Sequence, residues 1–429
     1  MRMRLRPLRG LVIVALLSAN VAAAQTVAIV GGRVLPVSGP PIDGGTVLIR
    51  DGRIVAVGRD VAVPNGAERI DATGKWVTPG IINPATQLGL IEVGQVAETR
   101  NATARGEEGN EVNAAFTVWE GLNPLSVLFA PARNEGITTV AVFPQGGLVS
   151  GQGALVDIVD GSVSDMLVRA PIAMVAQVGN TQAAGVGSRG ELILRLRELL
   201  EDVRAYGRRR ADFERAQTRE FAASRLDLEA MQPVLAGRLP LIIVADKASD
   251  IEAALRLARE YGLRIMIAGG AEAWIVADQL AAAKVPVLAG SLLNIPGDFA
   301  TLGARQETPA LLRRAGIDVA LIGTGSDPDA FNVRNIKQEA GNAVAHGMSW
   351  DDALRAITLT PAELFGVADR YGSLQPGRVA NVVVWSGDPF EFSTRVEHVF
   401  VRGVRRMTPS RQDELMQRYK TLPPAYGVP

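Results

Sequence analysis

Between residues 137 and 365, short apolar-rich runs alternate with amphipathic stretches, and this alternation limits the fold more than any other feature of the chain. The runs are ITTVAVFP, PIAMVAQVG, LPLIIVAD, RIMIAGG, VPVLAG and DVALIGTG, with a seventh earlier, around Thr78–Leu90. Their lack of polar alternation is what strands buried on both faces show. The intervening segments, such as IEAALRLAREYG and AEAWIVADQLAAAK, repeat apolar residues at helical spacing. Regular strand–helix order means parallel strands joined by crossover helices. Seven or eight such units predict an α/β protein built on a (β/α)8 TIM-like barrel. The eighth strand is expected between Val118 and Asp160, where Gly, Pro and Asn interrupt the pattern.

The two ends of the chain read differently. TVLIRDGRIVAVG is a hairpin, because Asp51-Gly52 suits a two-residue turn with positive φ. ANVVVWSGDP and VEHVFVRG are β-branched and aromatic runs closed by Pro or Gly. The ends therefore pair into a small β-sandwich, residues 25–78 and 371–429, around a barrel over 79–370. Residues 1–24 read as a signal peptide: Arg2, Arg4, Arg6 and Arg9, an apolar stretch from Leu11 to Leu17, then Ala22-Ala23-Ala24. A membrane span needs roughly 20 apolar residues, and this stretch is shorter. The expectation is an exported protein, in the bacterial periplasm, with no membrane attachment after cleavage.

A formal net charge of +0 without a basic footprint argues against nucleic-acid binding. The absence of cysteine removes disulfides, thiolate ligands and a cysteine nucleophile together. Only two histidines exist, His346 and His398. His346 ends a helix before Gly347, where an imidazole suits the helix C-terminus. His398 lies on a sandwich strand, on the face of Val396 and Phe400. A Ser–His–Asp triad built on Ser150, Ser291 or Ser326 lacks a usable base.

In a βα barrel the working groups sit at the carboxyl ends of the strands. Those ends offer glycine, alanine, amides and hydroxyls, with carboxylates only at Asp246, Glu272, Asp327 and Asp329. Lys247 adjoins Asp246 as an ion-pair or pocket group, and Asp250 reads as the cap of the helix that follows. QGGLVSGQGALVDI lacks the strand–GxGxxG–helix setting of a phosphate loop and reads as a bent hairpin. The charged helix from about Gly190 to Phe221 alternates sign, as a solvated face does. Trp119 and Trp274 are core aromatics or pocket lining.

VTPGIINPATQLGL resembles the first barrel strand of the amidohydrolase superfamily, close to its imidazolonepropionase-like branch. IDATGKWVTPG resembles that superfamily's entry to the barrel, and GSLQPGRVANVVVWSGDP the return to its β-sandwich. The resemblance implies hydrolysis of C–N bonds with one or two divalent ions, usually zinc, activating a water. Carried over position by position, the first-strand histidines fall on Ala85 and Gln87, and the preceding Asp on Asn83. The fifth- and sixth-strand histidines fall on Val244 and Gly269, and the last-strand aspartate on Gly325, two residues before Asp327. Gln177 is nearest to the bridging position. No resident metal or other cofactor is therefore expected. Three readings follow. One is a member that has lost its histidine metal site, partnered by an active relative or by its own copies. Another is a metal-free or carboxylate-dependent C–N hydrolase using Asp246, Glu272 and Asp327. The third is a protein that binds a small molecule in the same pocket, among Ala85, Gln87, Val244, Asp246, Lys247, Gly269, Glu272, Gly325 and Asp327.

Overall fold

The computed structural model describes residues 26–104, 111–179, 184–292, 294–323 and 332–420; the expected signal peptide, Gly325 and Asp327 lie outside them. The chain opens with β1 (Thr26–Val34), β2 (Ile42–Arg50), β3 (Arg53–Gly58), β4 (Glu68–Asp71) and β5 (Trp76–Pro79). The barrel strands follow as β6 (Ile81–Thr86), β7 (Ile137–Val142), β8 (Val149–Asp157), β9 (Leu167–Gln177) and β10 (Leu241–Ala245). They continue with β11 (Ile265–Gly269), β12 (Val287–Ala289) and β13 (Val319–Leu321). β14 (Val382–Trp385), β15 (Val396–Val401) and β16 (Val404–Arg405) return to the first sheet.

The terminal strands form one sheet in the order β16-β15-β14-β5-β1-β2-β3, with β4 also on β1. β1 changes partner along its length, pairing β4 over Val27–Val30 and β5 at Arg33–Val34. Gly31 stands at that break with φ 80°, a conformation that costs glycine little. The sheet consequently folds over a core of its own, where Val27, Ile49 and Ile54 meet Val382, Val384 and Phe400. The β2–β3 hairpin turns through Asp51 and Gly52 at φ 51° and 73°, the double positive turn that the sequence predicts.

The second sheet runs β13-β12-β11-β10-β9-β8-β7-β6, and β6 lies against β13, so it nearly closes into a TIM-like barrel. Helices from Arg189–Arg208 onwards pack outside it, the long charged stretch breaking at Arg209 into a second helix, Arg210–Glu214. Strict alternation sorts each strand. Ile242 and Val244 of β10 and Met266 and Ala268 of β11 fill the lumen. Leu241, Ile243, Ile265 and Ile267 pack outward under the helices. One strand departs from the expected plan. β8 occupies the predicted eighth place but runs antiparallel to both β7 and β9, so the GGLVSGQGALVD stretch is the bent hairpin and not a βα unit. Gly153 makes this possible, because a Cβ there would stand 2.1 Å from the Phe143 ring that crosses the lumen.

Below the lumen, barrel and terminal sheet are joined by one buried carboxylate. Asp157, fully buried at the end of β8, accepts hydrogen bonds from Thr139 Oγ1 (2.7 Å), Asn381 Nδ2 (3.1 Å), Tyr371 Oη (2.9 Å) and Arg402 Nε (2.6 Å). Burial and the Asp157 charge raise the Tyr371 hydroxyl's pKa, keeping it protonated and donating.

Candidate functional site at the barrel mouth

Among the described residues, the carboxyl ends of the strands bring part of the sequence-selected set to one rim. Ala85, Val244 and Ala268 belong to the same lumenal cluster. Register places Gln177 beside Val244, Val244 beside Ala268, and Ala268 beside Leu288. These described positions of the last lumenal ring carry methyl, isopropyl and isobutyl groups and the Gln177 amide. Gln177 Nε2 lies 3.5 Å from the buried Ser150 Oγ. Gln87 is half-buried just beyond β6, where its carbonyl receives the N–H groups of Leu90 and Ile91. Asn83, carried over as the preceding aspartate, is fully buried and folds back, accepting the Ala85 N–H at 3.1 Å.

Gly269 behaves differently from its expected place. Alternation gives the lumenal position to Ala268, and Gly269 follows at φ 91°. A Cβ built on Gly269 would lie 2.5 Å from Asp246 Oδ1. The carboxylate of Asp246 thus fills the space a side chain at 269 would need. Asp246 also receives the Ala271 N–H at 3.3 Å, while its carbonyl holds the Glu272 N–H at 2.8 Å. Burial raises the Asp246 pKa, with the nearby Asp298, Asp250 and Glu272 carboxylates adding to the rise.

The remaining candidates divide between rim and scaffold. Glu272 Oε2 accepts the Ala248 N–H at 2.9 Å, so it caps the helix Ala248–Tyr261 from the next βα loop. That role had been expected of Asp250. Asp250 instead sits inside the first turn, buried, with Arg189 Nε 2.9 Å from its carboxylate. Lys247 occupies the N-cap position and has no hydrogen bond or ion pair from its side chain among the described residues. Trp274 is tied to Gly303 by Nε1 (2.9 Å) and covered by the Arg305 guanidinium, 4.8 Å from the ring centroid. Buried Ser291 sits under the same loop, its N–H on Glu339 at 2.7 Å. His346 caps its helix before Gly347 at φ 98°, and His398 on β15 pairs with Val384 on β14.

A zinc ion requires imidazole, thiolate or carboxylate donors in convergent geometry. The described positions supply none of these at Ala85, Gln87, Val244 or Ala268, and Asp246 and Glu272 are held on backbone N–H groups. No group of three or more metal-ligating side chains occurs among the described residues. This donor set does not fit the ion.

A family model described as the amidohydrolase family matches residues 298–406. The chain is 27% identical to the imidazolonepropionase of Acidiphilium cryptum over 368 residues, covering 82% of this chain and 89% of that protein. An amidohydrolase structure from Thermotoga maritima superposes with a TM-score of 0.79 at 28% identity, covering 88% of this chain and 99% of the other. Molinate hydrolase, at 20% identity and a TM-score of 0.54 over 89% of this chain and 95% of the other, shares the fold.

Proposed function

This chain belongs to the amidohydrolase superfamily, in its imidazolonepropionase-like branch, and we propose that it retains the barrel mouth as a small-molecule pocket without the metal-activated water. Membership gives it the fold of a C–N bond hydrolase. The observation that carries the proposal is the replacement at the strand ends. Three lumenal positions are aliphatic, and the space beside Gly269 is taken by Asp246. A neutral, mainly apolar ring with an amide at Gln177 can hold an uncharged ligand of matching shape. In this reading the protein is exported to the periplasm after loss of residues 1–24. It works there by binding, alone or beside an active relative. Elemental analysis of the mature protein, a panel of amides, lactams and dipeptides, and a thermal-shift screen test it together. The expected result is metal well below one ion per chain, no turnover, and compounds that raise the melting temperature. One tightly held zinc per chain with metal-dependent turnover would overturn the proposal.

A second reading rests on the raised pKa of Asp246. A carboxyl whose protonated form is favoured by burial is a candidate for general acid–base work without a metal. Its weakness is that Glu272 is engaged as a helix cap. Turnover abolished by Asp246→Asn would establish it; turnover unchanged by that substitution would remove it.

A further inference from the structure

At the foot of the barrel, where the strands begin, a hollow is lined by three cations and, among the described residues, no carboxylate. Its volume is about 840 Å³, and it lies where the helices Ala248–Tyr261 and Ala277–Ala283 end, against the start of β11. The floor is apolar: Leu255, Ala258, Leu263, Ile265 and Val285 line it and are each 4–9% exposed. Arg259, Arg264 and Lys284 also line it and are exposed. Among the described residues, none of the three has a hydrogen bond or ion pair from its side chain. Glu252 accepts from the lining residue Gln279 at 2.8 Å but does not itself line the hollow. Helix ends explain only part of this charge. A cation complements a helix C-terminus, which accounts for Arg259 in the last turn of its helix. Arg264 lies outside both helices, directly before β11. Lys284 ends its helix at φ 53°, whereas Gly262 ends the neighbouring helix at φ 69°. A side chain in this left-handed region is strained where glycine is not, so one helix ends on a charge at a backbone cost.

We propose that this hollow binds a small amphipathic anion, a phosphate or carboxylate group carried on a short apolar body. The three cations meet the charged head, and the apolar floor meets the body. The volume falls in the range of small-molecule pockets, about 300–1,000 Å³. A bilayer fits less well, because the apolar residues are buried in the floor and only a ligand that enters can reach them. The hollow lies at the opposite ends of the strands from the barrel mouth, so the inference stands or falls independently of what the mouth does.

The test is calorimetric titration of the mature full chain with hexyl phosphate, inorganic phosphate and hexanol. Hexyl phosphate should bind with a dissociation constant below about 1 mM, at least about tenfold tighter than either of the other two. Arg264→Gln and Lys284→Gly should each weaken it about two- to fivefold, and the double variant about tenfold. High salt should shrink these differences. Lys284→Gly should not lower the melting temperature, because glycine accepts the left-handed backbone, so weaker binding there is not lost folding. Hexyl phosphate binding no tighter than inorganic phosphate would mean an adventitious ion only and overturns the proposal. Hexanol binding as tightly as hexyl phosphate overturns it as well, as does binding indifferent to the double variant, the behaviour of a ligand seated in the mouth. Sedimentation with phosphatidylglycerol vesicles that depends on Arg264 and Lys284, without hexyl phosphate binding, would assign the cations to a membrane surface and equally overturn it.

Discussion

Replacing Asp157 by Asn should separate the barrel from the terminal sheet energetically while leaving the volume of the site unchanged. The carboxylate receives four donors, two on each oxygen: Thr139 and Asn381 on Oδ1, Tyr371 and Arg402 on Oδ2. An asparagine keeps one acceptor oxygen and puts an amide N–H₂ where the other stood. If Oδ1 is retained, the amide faces the Tyr371 hydroxyl and the Arg402 guanidinium. The hydroxyl can rotate to accept, but the guanidinium cannot. Loss of a hydrogen bond to a charged group costs about 1.5–3 kcal/mol, and rearrangement of a buried neutral one about 1 kcal/mol. Arg402 is 36% exposed, so water recovers part of its solvation and the lower end of the charged range applies. The expected loss is about 2–3 kcal/mol of folding stability. Urea denaturation followed by tryptophan fluorescence measures it, since Trp385 is buried against Gly136 between barrel and sheet. The double variant Asp157→Asn/Arg402→Gln should lose less than the sum of the single variants, because the two changes share one interaction. A loss under about 0.5 kcal/mol for Asp157→Asn, or strict additivity in the double variant, would refute the reasoning.

Three further outcomes follow from the mouth. Gly269→Ala places a Cβ against Asp246 Oδ1 and forces alanine to φ 91°; it should cost about 1–3 kcal/mol. Adding Asp246→Ala should return the steric part of that loss and leave the backbone part, as read from urea midpoints. Asp246→Asn should raise the melting temperature at neutral pH. The folded-state pKa of Asp246 is raised by burial, so its ionised form disfavours the native state, and this penalty fades as pH falls through that pKa toward the unfolded value. A gain that persists unchanged into the acid range would contradict the assignment. Glu272→Ala removes the carboxylate from the Ala248 N–H and should cost about 1 kcal/mol, with hydrogen exchange quickened first at the start of the helix Ala248–Tyr261.

The barrel was legible because burial on both faces leaves a mark in composition, and IMIAG and LIIVA recur between amphipathic helices as interior strands do. The Asp51-Gly52 hairpin was legible because turn geometry restricts residue choice locally. Strand direction leaves a fainter mark. The glycines of QGGLVSGQGALVDI suggest a bent hairpin without saying which strands it joins, and the contact of Gly153 with Phe143 shows why it fits here. The positions that the resemblance assigns to metal ligands could be found from spacing, because its flanking motifs surround them. Alternation within β11 could also have selected Ala268 over Gly269, since Met266 and Ala268 share a phase. The Asp157 network was invisible. Its partners lie from 18 to 245 residues away, and nothing local distinguishes that aspartate from a turn residue.

The contact between Asp246 and Gly269 also constrains the order in which the mouth can change. Any residue larger than glycine at 269 meets an oxygen already in its place. A side chain is admitted there only when the Asp246 carboxylate turns aside or is shortened, and the backbone at φ 91° stays unfavourable either way. The two positions are therefore coupled although neither is a lumenal alternation site of β11. A substitution at 269 should be better tolerated after a shortening at 246 than before it. A laboratory lineage that varies both should accordingly acquire its change at 246 first.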